Sequence, residues 1–397
     1  MLKTDDTWRG LIGGNRPKKL LLSSLRNDRI SHNYLLEGPV GIGKFPFALK
    51  FARNLICSNA TNGLACETCD DCRLFDHGRH PDVLVFSRTD GLVVDEARQI
   101  NDLLMLSPLK SDRKVIVLDG VDRANVQASN ALLKTLEDTT GKNVFILITH
   151  RPEKLLPTIL SRSLRIPFSL LSPTELSNAF KDYFGLDDQS ANHAAELSGG
   201  RPGWGIRFML HPEFGELYSF GKEIIKEGLF TLPLGRIFHK ESLIVKFLDE
   251  CSRIFSEQDN VAGMDAVMLR KILDGEKVDF HPVNLFVAPE KSEEKSSRKS
   301  GSKSKNHSAT GSDASESDEK SGKRSSSKLR HLDALGFVLL GGIFSGMVSR
   351  EEIGDDPVRH HRLMEAFIEA PRQIERYFNR DLVIERFILT AHGRFGA

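Results

Sequence analysis

The chain has 397 residues, of which 40% are hydrophobic and 27% charged, enough for two or three domains with separate cores. Those proportions exclude a wholly disordered polypeptide. With 55 Lys and Arg against 54 Asp and Glu, the net charge of +1 also excludes a chain-wide electrostatic pull toward nucleic acid, so any DNA contact is local or belongs to a partner.

The first residues, MLKTDDTWRG, carry no basic segment followed by an apolar run, and no secretory signal is expected. The longest apolar stretch, Gly336 to Val348, is too short and too rich in glycine to span a bilayer. Both features point to a cytoplasmic protein without a membrane partner.

From residue 33 to 168 short apolar and β-branched runs, NYLLEG, VLVF, KVIVLDG, VFILITH and LRIPF, alternate with longer segments. Val94 to Leu106 and Asn125 to Asp138 place apolar residues at three- and four-residue spacing, as amphipathic helices do. Strands separated by helices predict an α/β fold, a parallel sheet with helices on both faces.

Gly38-Pro-Val-Gly-Ile-Gly-Lys44 lies between the first strand and a helix, the setting of a phosphate-cradling loop. Gly38, Gly41 and Gly43 let backbone amides turn inward, and Lys44 supplies charge for the β- and γ-phosphates. The next residue is Phe45, where a magnesium-binding hydroxyl belongs. KVIVLDG ends in Asp119, placed to reach a magnesium shell, but Gly120 follows where a water-polarising glutamate is needed. Asp122 is expected to point elsewhere along an extended chain. Thr149 closes VFILITH either as a polar sensor of the γ-phosphate or as a satisfied strand-end residue. With the hydroxyl and the acid both lost, hydrolysis is not expected, and ATP binding is weak or absent.

Four of the five cysteines, Cys57, Cys66, Cys69 and Cys72, follow C-x8-C-x2-C-x2-C spacing. Four thiolates complete a closed tetrahedral site, so a structural Zn2+ is expected, with His77 and His80 nearby but not required. Cys251 lies in a helical apolar pattern and reads as core.

After Pro167 the strand signals stop. Ser172, Pro173 and Glu175 form a helix start in SPTELSNAFKDYFG, and a second helix runs from Gln189 to Leu197 before Gly199 and Gly200. Helical periodicity continues from Phe208 to Leu285. Residues 290–328 are almost entirely Ser, Lys, Glu, Arg, Gly and Asp, which predicts a disordered insert, and the segments beyond it return to amphipathic helices that rejoin the preceding bundle.

In order, WRGLIGGNRPKKLLLSSLRNDRISHNYLLEGPVGIGK, the cysteine cluster, ASNALLKTLED and LPTILSRS together resemble the delta-prime and gamma/tau clamp-loader subunits of bacterial DNA polymerase III. The resemblance is strong over residues 7–170. It implies an AAA+ P-loop domain at 1–168 with a zinc-binding insert at 57–72 and a helical lid at 169–204. A helical collar follows at 205–289 and 329–397, interrupted by the insert at 290–328. Ser161-Arg162-Ser163 resembles the family's Ser-Arg-Cys motif with the cysteine replaced, which implies that Arg162 is an arginine finger acting in trans on a neighbouring subunit's ATP. SGGRPGWG at 198–205 lacks the motor subunits' arginine placement, and Arg201 is offset from it. The implied role is a non-hydrolysing stator, with gamma/tau and delta as partners and the sliding clamp and primed DNA as indirect ones. The alternatives are a gamma/tau-type ATPase that hydrolyses despite Phe45 and Gly120, and a zinc-bearing nucleic-acid-binding module.

Overall fold

The computed structural model describes residues 8–87, 94–104, 106–137, 142–210, 212–228, 243–257, 336–337, 339–344, 347–348, 353, 356–375 and 380–391. The segment expected to be a disordered insert, 290–328, lies outside the described residues.

Helix α1 (Asn15–Arg26) precedes β1 (Asn33–Glu37), α2 (Lys44–Ile56) and a helix that periodicity did not announce, α3 (Asp70–Asp76). There follow β2 (Val83–Ser87), α4 (Val94–Leu104), β3 (Lys114–Asp119), α5 (Val126–Glu137), β4 (Asn143–Thr149), α6 (Pro157–Arg162) and β5 (Leu164–Pro167). The five strands form one sheet in the order β2-β3-β4-β1-β5, and every pairing is parallel. α4 stops at Leu104, short of the expected Leu106, whose side chain is exposed.

Period-two alternation explains why the sheet is covered on both sides. Tyr34, Leu36, Val115, Val117, Ile146 and Ile148 bury one face beneath α1 and α2 together with Leu21, Phe47 and Phe51. Leu35, Ile116, Leu118, Phe145 and Leu147 bury the other beneath α4, α5 and α6 with Ile100, Leu132 and Ile159. The strand order sets the carboxyl ends of β3, β4 and β1 side by side, the place where open α/β sheets bind ligands.

α7 (Pro173–Phe184) opens with the expected capping box: Ser172 accepts from the Glu175 amide while the Glu175 carboxylate accepts from the Ser172 amide. It ends at Gly185, whose φ of 65° is a left-handed cap that glycine adopts without strain. α8 (Asp188–Leu197), capped by Asp187, and α9 (Pro202–Leu210) complete a small core around Leu176, Phe180, Phe184, Ala191 and Ile206. Beyond it lie α10 (Pro212–Glu223), α11 (Leu243–Glu257), α12 (Pro357–Glu375) and α13 (Arg380–Ala391). One buried cluster gathers Leu217, Phe247 and Cys251 with Phe337, Phe344, Phe367 and Phe387, so residues on both sides of the 258–335 interval share a core. Among the described residues no helix is long and apolar enough to cross a membrane.

Candidate phosphate-loop and cysteine sites

Between β1 and α2 the chain takes left-handed turns at Gly41 (φ 77°) and Gly43 (φ 93°), conformations that side chains strain. Lys44 opens α2 and is buried, with Nζ donating to the carbonyls of Gly38 at 2.6 Å and Pro39 at 2.7 Å. Burial lowers its pKa from 10.5 to about 8, against the opposing pull of Asp119 and Asp122. Phe45 is half-buried and packs onto the core beneath α2, so the position of a magnesium hydroxyl is given to apolar packing.

At the end of β3, Asp119 accepts a hydrogen bond from Ser87 Oγ on the neighbouring strand at 3.1 Å. Gly120 then turns left-handed (φ 71°), with its amide donating to Ile148 O at 3.0 Å, and starts a tight helical turn over Val121–Arg123. That turn corrects the expectation for Asp122. The chain is not extended there, and the carboxylate is brought back into the site, accepting from Thr149 Oγ1 at 2.8 Å. Thr149 is fully buried and its Oγ1 also accepts the Arg151 amide at 2.9 Å, so its hydroxyl is satisfied within the fold. His150 Nδ1 lies 3.4 Å from Asp122, yet burial first, then the charges of Arg151, Arg123, Lys44 and Lys154, depress its pKa well below 6.5. The imidazole is neutral near pH 7 and the contact is not an ion pair.

Arg162 ends α6 and is exposed, with Nη1 donating to Thr158 O at 3.3 Å in its own helix. Its carbonyl accepts from Asn33 Nδ2 at 3.3 Å, which fixes it to the amino end of β1. The phosphate loop leaves the carboxyl end of the same strand, and five residues of strand span about 16 Å. Arg162 is therefore separated from its own loop by the length of the sheet. Ser163, where the family motif has cysteine, donates to Ile159 O at 2.8 Å and so closes the helix end.

The four cysteines form a second site. Cys57 caps the carboxyl end of α2, Cys69 caps the amino end of α3, and Cys72 lies within it. All four sulfurs lie within 4.8 Å of one another, with Cys57 Sγ 3.6 Å from that of Cys66 and 3.7 Å from that of Cys69. Tetrahedral Zn–S bonds require sulfurs about 3.8 Å apart. The amides of Cys66 and Cys69 point at Cys57 and Cys66 sulfurs at 3.3 Å, and that of Cys72 at Cys69 Sγ at 3.5 Å, bonds that favour thiolate. Amides of Thr68 and Cys69 lower the Cys66 pKa to about 6, while burial pushes the Cys72 thiol up to about 12. The arrangement suits a metal ion that takes four sulfur ligands. His80 is not a fifth candidate: its Nδ1 accepts the Asp82 amide at 3.2 Å and its Nε2 faces Asp71 at 3.6 Å.

The structure thus brings Gly38, Gly41, Gly43, Lys44, Asp119 and Thr149 together at the carboxyl ends of the central strands. The sequence reading missed Arg123, whose guanidinium lies against Gly120, and Trp204, which packs on Gly41.

Residues 14–172 match the family model described as DNA polymerase III, delta subunit. The chain is 32% identical over 234 residues to DNA polymerase III subunit delta' of Pseudomonas aeruginosa, covering 55% of this chain and 68% of that protein. It is 35% identical over 184 residues to the delta' subunit of Bacillus subtilis, covering 46% of this chain and 54% of that one. DNA polymerase III subunit tau of Escherichia coli is 32% identical over 170 residues, 43% of this chain and 26% of tau. The chain belongs to the DNA polymerase III delta-prime family of clamp-loader proteins, with gamma/tau subunits as its homologues.

Proposed function

We propose that this protein is the non-hydrolysing stator of a DNA polymerase III clamp loader, presenting Arg162 in trans to the ATP of a gamma/tau neighbour. The observation that carries this reading is the side-chain environment of Gly120. The space a water-polarising acid would enter is filled by the Arg123 guanidinium, and Phe45 stands where the metal hydroxyl belongs. Phosphoryl transfer depends on positioning and charge, so either loss removes most of the rate. The exposed Arg162, a sheet length from its own loop, suits service to another subunit.

On this reading residues 1–168 are the AAA+ domain, 169–204 the lid, and 205–289 with 329–397 the collar that assembles with gamma/tau and delta. The protein itself contacts the sliding clamp and primed DNA through the assembly, in keeping with a net charge of +1. Cys57, Cys66, Cys69 and Cys72 hold a Zn2+ whose part is structural, since four sulfurs leave no open position for a substrate.

The test is magnesium-dependent phosphate release by the purified chain and by the loader reassembled with gamma/tau and delta. The lone chain is expected to release none, and Arg162→Ala in the assembly to slow partner turnover by about a thousandfold. Motor-like turnover by the lone chain, or an assembly indifferent to Arg162, defeats the reading.

A further inference from the structure

α9 begins on top of the phosphate loop. The Gly203 amide, one of the first-turn donors that a helix leaves unpaired, donates to Gly41 O at 2.9 Å. A methyl group on Gly203 would stand 3.0 Å from that oxygen and 3.5 Å from Gly41 Cα, so the two backbones touch and a side chain there must push them slightly apart. The next residue, Trp204, is 4% exposed. Its indole lies on Gly41 so closely that a methyl there would sit 2.9 Å from Cδ1 and Nε1. The Arg201 guanidinium stacks over the same ring at 4.6 Å from its centroid.

The other end of the ring belongs elsewhere. Cζ3 is 3.8 Å from the place of a methyl on Gly342, and Trp204 is a member of the C-terminal core with Phe247 and Phe344. One side chain therefore spans the phosphate loop, the lid and the helical core behind it. Beneath it Lys44 is already bonded to Gly38 O and Pro39 O, bonds it must give up to reach a phosphate.

We propose that Gly203 and Trp204 latch the lid onto Gly41, closing the phosphate loop to nucleotide and converting it into a fixed joint between the sheet domain and the C-terminal core. The inference rests on the stator reading and supplies its mechanical part. A loop that must part from the lid before it can bind pays for that opening in affinity, by the fraction of molecules that are open.

The sequence has two tryptophans, Trp8 and Trp204, so Trp8→Phe leaves the emission of Trp204 as a direct report on the latch. In this background the full chain is titrated with N-methylanthraniloyl-ADP and magnesium, and acrylamide quenching is followed with unlabelled ADP. The expected result is shielded emission that nucleotide leaves unchanged. In the original chain, Trp204→Ala and Gly203→Ala each raise affinity for the labelled nucleotide by about tenfold or more. Adding Lys44→Ala removes the gain. Gly203→Ala keeps the indole in the core and wedges the joint from the loop side, so the test survives if Trp204→Ala fails to fold. Native protein that binds the labelled nucleotide as tightly as the variants while Trp204 stays shielded overturns the latch, as does the absence of a gain in both variants. Such tight native binding without turnover defeats only the latch, whereas turnover by the native chain defeats the stator reading.

Discussion

The guanidinium of Arg123 occupies the space into which any side chain on Gly120 would project. The contact spans one tight turn, and Gly120 itself is held left-handed at φ 71°. A side chain there must both displace the Arg123 guanidinium and adopt a backbone conformation that L residues strain to reach. Gly120→Glu is expected to lower stability by about 1–3 kcal/mol through strain at that φ, with no phosphate release gained. Urea unfolding and a phosphate-release assay check the two parts. A Gly120→Glu protein that is as stable as the parent would show that the left-handed turn at Gly120 imposes no such strain.

The cysteine site predicts one equivalent of zinc in the purified protein, held more weakly as pH falls, because the Cys72 and Cys57 thiols, raised by burial, must lose protons to bind metal. Arg53 pairs with Asp76 at 2.7 Å and lies close enough to Cys72 to pull its pKa down against burial, which places a cation beside the thiolates. Arg53→Met is expected to weaken metal binding by about 10–100-fold, measured by competition with a chromophoric chelator. Unchanged metal affinity in this variant would confine Arg53 to packing.

Asp82 is fully buried at the start of β2 and gathers the amides of Leu109, Lys110 and Ser111 at 2.7, 2.8 and 2.7 Å, with Ser111 Oγ at 3.1 Å. Burial pushes its pKa upward, but these donors outweigh burial and hold it below 3.8. Its stabilising contribution is present above the unfolded pKa and lost as pH falls through the folded one. Asp82→Asn removes the charge and leaves its NH2 group facing at least the Leu109 amide, which is expected to cost about 3 kcal/mol, visible as a lower urea midpoint near pH 7. A midpoint within error of the parent would rule out this anchoring role.

His150 gives a pH dependence of the same direction at a higher pH interval. Its folded pKa lies below the unfolded 6.5, so the folded state resists its protonation. The stability it contributes is complete above about 6.5 and declines as pH falls through the interval toward the folded value. Unfolding free energies measured between neutral and mildly acidic pH are expected to fall more steeply for the native protein than for His150→Asn. Parallel curves would contradict the neutral, enclosed imidazole.

What the sequence reveals depends on how local the cause is. Alternation in NYLLE places Tyr34 and Leu36 on one face and Leu35 on the other, and the Ser172 to Glu175 spacing marks a helix start within four residues. The cysteine spacing likewise brings four sulfurs within reach of one another through short connections. Asp122 defeated the same reasoning because its direction is set by the left-handed turn at Gly120, which strand periodicity does not encode. Trp204 was hidden for a different reason: its partners Gly41 and Gly342 are far away in the chain on either side, and an aromatic residue in a glycine-rich segment gives no sign of them.

The C-terminal core has a consequence for synthesis. The sheet is complete once Pro167 has emerged, and all of its strands come from the first part of the chain. The core around Phe247 and Phe344 also needs Phe367, Phe387 and Ile388, which are translated long after Phe247. The sheet domain can therefore fold on the ribosome, whereas Leu217, Phe247 and Cys251 must wait with apolar surface uncovered until Phe367 and Phe387 have emerged. Pauses in translation between residues 251 and 387 would lengthen that exposure, and chaperone demand should be greatest over that interval.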